Sequence, residues 1–385
     1  MARAHLAPAS TAELRDLLAR WRGHPTPAYR FAHDLARFPE SGADDTVSVV
    51  IPVYGAVDPD ALRAALKSIA LQRHVRVDPL LVEQLHDGPP AFAAIAQAAG
   101  ARHILDLAPA HTSGRRFNLS RARNAGAAAA RGRFLYFTDA DVVLADPTYL
   151  ARLVELVRLH EDLILITPRN KHLLRESKAA ACAHFCAEGS WDTGGMERIG
   201  NHALRWIGAD RGAAADPPPE IVETTLAGVP CIVRRPDLDA YHADPAAWRG
   251  REPAIWNLPV HHGSLMARRR HIELAGGYAE SFVGWGIEDN DMHWKLSELF
   301  LIASLARLPD VAVVHLEHPR AWFDPLLWHR NQLLLDDRRR RGVLDAIFSD
   351  ICTAGSALGD HLRATLRWTS APAQDPTPRS TTAPY

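Results

Sequence analysis

Val47-Ser-Val-Val-Ile-Pro-Val53 is a nearly unbroken β-branched run. It describes a strand buried on both faces of a parallel sheet, because a strand with one wet face alternates apolar and polar residues instead. Downstream, the pattern predicts a helix over 61–71, a strand over 77–83 and a helix over 91–99. A short strand over 103–107, a helix over 120–130 and a strand over 134–138 follow. Strands alternating with helices at this spacing form parallel sheets with crossover helices. The fold class read from this is α/β: an open, mostly parallel sheet flanked by helices, with a Rossmann-like nucleotide-binding half. Such sheets bind ligands beyond the carboxyl ends of their strands. That rule singles out Tyr54 and Gly55, Glu83 and Gln84, and Asp139-Ala-Asp141.

Outward from this half, assigned to 45–170, residues 1–44 read as a helical extension. In it Leu14, Leu17, Leu18 and Trp21 recur at helical spacing ahead of the breaker-rich stretch 39–45. The pattern weakens over 171–259, where Pro217-Pro-Pro219 suggests an inserted or irregular acceptor-side segment. Order returns over 260–320. Helices are expected over 325–350 and 357–368, within a C-terminal helical region 321–368. The last stretch, 369–385, rich in Thr, Ser and Pro, reads as a disordered tail.

Composition narrows the function classes. Lys and Arg number 44 against 45 Asp and Glu among 385 residues, so no global basic field is available to hold a nucleic acid. No run of 18 apolar residues occurs, and neither a membrane span nor a secretion signal is expected. The four cysteines, Cys182, Cys186, Cys231 and Cys352, have no zinc-ribbon spacing and fit a reduced, cytoplasmic setting.

Three motifs could carry chemistry. Asp139 and Asp141 leave a buried strand, where two carboxylates a residue apart can share a divalent ion and a nucleotide. Three other D-x-D triplets occur in the chain, so position rather than spacing marks this one. Gly276-Gly277-Tyr278 precedes Phe282-Val-Gly-Trp-Gly-Ile-Glu-Asp-Asn-Asp291 and a helix through Leu299. Glycines on both sides of Trp285 allow a tight turn that presents the indole to a sugar face. Helix capping alone would also account for Glu288 and Asp289. Third, Val311-Ala-Val-Val-His315-Leu-Glu-His318 ends a buried strand in two imidazoles, which together with a carboxylate suit Mn²⁺ better than Ca²⁺.

These residues resemble the inverting, metal-dependent glycosyltransferases of the GT-A fold. Val47 to Tyr54, and Asn118-Leu-Ser-Arg-Ala-Arg-Asn-Ala-Gly126 leading to Asp139-Ala-Asp141, are similar to family 2 enzymes. Gly276-Gly277 through Gly-Trp-Gly-Ile-Glu-Asp-Asn-Asp291 resembles the β-1,4-galactosyltransferase group and the galactosyltransferase-like half of chondroitin-polymerase-type enzymes. The resemblance implies that Pro52, Val53, Tyr54, Glu83, Arg121, Asn124, Asp139 and Trp285 bind the donor. It implies Asp141, His315 and His318 as ligands of Mn²⁺ or Mg²⁺. Asp289 becomes the general base, Glu288 its supporting acid, and Trp285, Asn290 and Asp291 the acceptor side. Two departures stand out. Glu83-Gln84-Leu-His-Asp-Gly88 replaces the Asp-Asp-Gly-Ser of many family 2 enzymes, and Asn290 stands where the galactosyltransferase group carries an acid.

The implied reaction is a single displacement that moves a sugar from a nucleotide-sugar, a UDP-sugar by this resemblance, to a soluble small-molecule, glycan or peptide acceptor. Two other classes share parts of this pattern. A nucleotidyltransferase usually carries a phosphate loop near its first strand, which Ile51 to Gly55 does not supply. A non-catalytic carbohydrate-binding or scaffold protein would use the nine of ten Trp that follow residue 190, but would have no use for Glu288 and Asp289.

Overall fold

The computed structural model of the chain describes residues 6–21, 27–35, 43–55, 57–85, 88–107, 117–166, 170–173, 175–191, 196–199, 203–206, 221–226, 229–244, 255–256, 263–305, 308, 311, 313–318, 324–355 and 358–362. Along the chain run α1 (Thr11–Arg20), α2 (Pro27–Leu35), β1 (Ala43–Val53), α3 (Pro59–Ala70), β2 (Val77–Leu85), α4 (Ala93–Ala98), β3 (Arg102–Leu107), α5 (Leu119–Ala129), β4 (Gly132–Phe137), β5 (Val142–Val143), α6 (Tyr149–Val157) and β6 (Leu163–Ile166). After these come β7 (Asn170–Leu173), α7 (Arg175–Glu188), β8 (Met196–Ile199), β9 (Ala203–Trp206), β10 (Ile221–Leu226), β11 (Val229–Arg234), α8 (Arg235–Ala243) and β12 (Ile255–Trp256). The last third holds β13 (Leu265–Arg268), α9 (Arg269–Leu274), α10 (Glu288–Leu299), β14 (Leu301–Ser304), β15 (Val313–Leu316), α11 (Pro325–Arg341) and α12 (Val343–Thr353).

Seven strands form the main sheet in the order β14-β6-β13-β4-β1-β2-β3. Only β13 runs antiparallel to its neighbours; the other pairs are parallel. The run from Val47 to Val53 is central and buried on both faces. Val47, Val49, Ile51 and Val53 face one core with Leu62 and Leu66 of α3 and Leu150 of α6. Val50 faces the other core with Ala122 and Ala127 of α5 and Met292 and Leu296 of α10. Gly126 lets α5 lie against β1, since a Cβ there would come within 2.3 Å of a Val50 methyl. The mostly parallel α/β sheet is therefore as expected.

A second sheet of five strands, β5-β15-β7-β9-β8, and a third, β10-β11-β12, lie outside the main one. Much of 171–259, expected to be irregular, is thus regular where it is described. Its α7 buries Ala181, Cys182 and Phe185 against Ala61 and Ala64 of α3. Small and mixed residues hide that face from a periodicity reading. β1 begins at Ala43, inside the breaker-rich stretch, where Asp45 pairs with Arg133 and Arg158. The helix expected over 325–350 is two helices divided at Gly342, whose φ is 97°. Of 357–368, only 358–362 are described, and they are helical; Pro217 to Pro219 and 369–385 lie outside the described residues. Among the described residues no helix is long and apolar enough to cross a membrane.

The N-terminal extension is fastened to the far edge of the main sheet. Leu6 exchanges backbone hydrogen bonds with Ile302 and Ser304 of β14 (2.9 and 2.8 Å), and Leu14 and Leu18 of α1 enter the core.

Candidate active site

The carboxyl edge of β4 continues as Thr138-Asp139-Ala140-Asp141, and a short ladder then delivers the histidines. Val142–Val143 of β5 pairs antiparallel with β15, setting His315 opposite Val142 and Val314 opposite Val143. The Leu316 N–H donates to the Asp141 carbonyl at 2.8 Å. The Asp141 carboxylate then stands 3.0 Å from His318 Nε2 and 3.6 Å from His315 Nε2. One ligand atom from each residue lies within 4.8 Å of the other two. Ligands held roughly 2.1 Å from one ion stand about 3 to 3.6 Å apart, so the two Asp141 spacings and the imidazole–carboxylate donor set fit a divalent transition ion.

The second wall is the start of α10. Gly284 and Gly286 take φ of 81° and 91°, and Ile287, a β-branched residue, is held at 78° in the left-handed region. Such backbone costs about 1–3 kcal/mol and persists only where surrounding structure imposes it. Here α11 imposes it. Asn331 donates to the carbonyls of Val283 and Gly286, both at 3.2 Å, while Leu327 and Trp328 pack so close that a Cβ on Gly284 or Gly286 would lie 2.9 or 3.1 Å from them. This turn releases the chain into α10 with Glu288 and Asp289 in its first turn and Trp285 half-buried at the bend.

One guanidinium joins the two walls. Arg123, on α5 and with no solvent exposure, donates from Nη1 to Asp289 at 2.5 Å and from Nη2 to Asp139 at 3.3 Å, with Glu288 at 3.8 Å. Its plane lies 5.0 Å from the Tyr278 ring centroid. Three carboxylates thus lie within 3.8 Å of one guanidinium. Glu288 is buried and its Oε2 has no hydrogen-bond partner. Burial first, and the Asp289 charge second, push its pKa up to about 8 against the opposing pull of Arg123. Asp139 remains 32% exposed, so this cluster opens toward solvent.

The other expected residues fall into three groups. Pro52 and Val53 are buried at the end of β1, and Tyr54 stacks on Phe117 with centroids 4.5 Å apart, an aromatic pair beside the strand edge. Burial pushes the Tyr54 hydroxyl pKa up to about 12.

Three of the expected donor residues are turned to the protein. Glu83 accepts from the N–H groups of Ala91 (2.7 Å) and Phe92 (3.3 Å) and pairs with His103 at 2.8 Å, so both its oxygens hold the loop after β2. Arg121 pairs with Asp106. Asn124 donates to the Tyr278 carbonyl and Glu280 and accepts from the Tyr278 N–H, pinning the turn that carries Gly277.

On the acceptor side, Asn290 is exposed, whereas Asp291 is fully buried and points away from the edge. Asp291 pairs with Arg338 of α11 at 2.7 Å, and Arg338 and Lys295 both pair with Asp350 of α12 (2.7 and 2.6 Å). Asp291, expected on the acceptor side, thus lies in a sealed ion-pair cluster, apart from the exposed Asn290.

Arg123 was not singled out in the sequence, although it lies between the two residues of its motif that were. On a helix, positions 120, 123, 124 and 127 share one face, and all four are buried. Helical register within the motif would have turned attention from Arg121 to Arg123.

Residues 48–181 match the family model described as Glycosyl transferase family 2. That segment contains Asp139 and Asp141 and most of the parallel part of the main sheet, so the match falls on the strand edge described above. No curated protein matches. Among solved structures the chain is similar to S. aureus TarS, at 12% identity and a TM-score of 0.40 over 84% of this chain, and spans only 43% of that protein. It is also similar to the mannosyltransferase PcManGT from Pyrobaculum calidifontis in complex with GDP-Man and Mn²⁺, at 14% identity and a TM-score of 0.39 over 94% of this chain and 89% of that one. A third is glucosyl-3-phosphoglycerate synthase from Mycobacterium tuberculosis with Mn²⁺, UDP and glucosyl-3-phosphoglycerate, at 14% identity and a TM-score of 0.36 over 78% of this chain and 79% of that one.

Proposed function

We propose that the protein is an inverting, metal-dependent glycosyltransferase that moves a sugar from a nucleotide-sugar, a UDP-sugar by preference, to a diffusible acceptor. The observation that carries this reading is the shared guanidinium. Through Arg123, the exposed carboxylate at the sheet edge, Asp139, and the carboxylate at the start of α10, Asp289, face one space.

In this reading the donor lies beyond the ends of β1 and β4, with Tyr54 and Phe117 on one side and Asp139 on the other. Asp141, His315 and His318 would hold Mn²⁺ or Mg²⁺, which supplies positive charge against the diphosphate as it leaves. Asp289 takes the proton from the acceptor hydroxyl as that oxygen bonds to the anomeric carbon. The bond from that carbon to the diphosphate oxygen breaks, its electron pair leaves with the nucleoside diphosphate, and configuration inverts. Trp285 offers an apolar face to a sugar ring beside the base, and Asn290 lies on the outer surface of the same helix turn.

Calorimetric titration with UDP, in Mn²⁺ and then in EDTA, tests the donor site. Micromolar binding that needs the ion and is lost in Asp141→Ala is expected. Silence of UDP, GDP and dTDP under both conditions would remove the reading.

A further inference from the structure

We propose that Arg123 is a positioning residue for the transfer reaction: one buried guanidinium sets where the base Asp289 stands relative to the donor-side carboxylate Asp139. The proposal rests on the transferase reading above and adds to it a residue outside the implied donor, metal and base sets.

Geometry carries the argument. Asp289 sits on α10, Asp139 follows β4, and Arg123 comes from α5, so three separate elements meet at one planar group. The two forks of that plane are divided between the walls, Nη1 toward Asp289 and Nη2 toward Asp139. A guanidinium can do this because its donors are fixed in one plane; an ammonium is a point charge and cannot keep both contacts at these angles. The plane is itself fixed. Arg123 has no solvent exposure and lies against the Tyr278 ring, and Tyr278 is held at its backbone by Asn124, one residue further along the same helix.

This also explains why the neighbouring motif residues are spent on structure. Arg121 and Asn124 anchor α5 to Asp106, Glu280 and the Tyr278 turn, and so set the helix from which Arg123 reaches inward. Displacing a catalytic group by even about 1 Å can cost a hundredfold in rate without loss of substrate affinity. Arg123 is where such a displacement would originate.

The test compares wild type, Arg123→Lys, Asp289→Asn and the double variant, using UDP-, GDP- and dTDP-sugars with water as acceptor and following release of the nucleoside diphosphate. In Arg123→Lys, kcat is expected to fall about 10- to 100-fold while donor KM changes less than about threefold. Adding Asp289→Asn to Arg123→Lys should then cost much less than Asp289→Asn alone, because the two act as a unit. Tyr278→Leu, which removes the supporting ring and leaves every charge in place, should show the same split between kcat and KM, and serves if the lysine variant does not fold. Wild-type kcat in a folded Arg123→Lys or Tyr278→Leu protein, or losses that multiply in the double variant, would overturn the proposal. Absence of turnover by the wild type with every donor would instead overturn the transferase reading itself, and the positioning role with it.

Discussion

Helix α10 carries two buried charge clusters, one at each end of its first two turns, and they are built on opposite rules. The inner cluster joins Asp291 and Asp350 to Lys295 and Arg338, two acids to two bases, with every side chain sealed from solvent. Arg338 spans both carboxylates with four hydrogen bonds between 2.7 and 3.1 Å, and Lys295 adds the Gly277 carbonyl at 2.6 Å. The outer cluster sets Asp139, Glu288 and Asp289 around Arg123, leaves the Arg123 Nε and Glu288 Oε2 without a hydrogen-bond partner among the described residues, and opens to solvent at Asp139. Balance and closure lock helices together. Imbalance, with an opening, is what a site needs if it is to take up a proton or a cation. Two aspartates two residues apart in one motif, Asp289 and Asp291, thus have different work, decided by which face of α10 each occupies.

The largest expected effect separates them by chemistry. Asp289→Asn should lower turnover by about 10²- to 10⁴-fold, the range for losing a general base, while chemical denaturation shows stability within about 1 kcal/mol of wild type, because Arg123 keeps two other carboxylates. Retained turnover would move the base elsewhere.

Next comes the converse. Arg338→Met leaves Asp291 and Asp350 buried with only Lys295 between them and should cost roughly 3–5 kcal/mol of stability, measured by urea denaturation. The protein that remains folded should keep its turnover per active site. If turnover fell with stability unchanged, the inner cluster would not be the structural one.

The smallest effect sharpens the contrast in protons. Glu288 has a raised pKa, so between about 4.5 and 8 the folded chain holds a proton that the unfolded chain has released. Stability therefore falls as pH rises through that window. Glu288→Gln should flatten the slope, making the variant gain on wild type from pH 5 to pH 9 in thermal melts. Parallel curves would show that Glu288 does not titrate there.

Much of this was open to a sequence reading, for physical reasons. The run from Val47 to Val53 announces its place because a strand buried on both faces is apolar on both, and its one polar residue, Ser48, is itself buried and bonded to Asp78. Asp139, Asp141, Glu288 and Asp289 stand at element ends, which local periodicity locates. What stayed hidden depends on pairing across distance. Arg338 opens a run of four arginines, yet it is buried, and one of its two partners, Asp291, is 47 residues away. Glu83 is a strand-end acid like Asp139, and only the loop that folds over it, donating the N–H groups of Ala91 and Phe92, turns it inward. In α7, alanines and cysteines bury a face that carries no strong apolar stripe.

The two-residue strand Val142–Val143 has a kinetic consequence. His315 and His318 reach Asp141 only when β15 returns to pair with it, across a span of about 170 residues. The entropic cost of closing so long a loop must be met before any ligand contact forms. The segment 48–181 that matches the family model contains Asp141 but neither histidine. The proposed metal centre therefore cannot form until β15 has been made and has paired with β5, and acquisition of metal-dependent nucleotide affinity would time that closure.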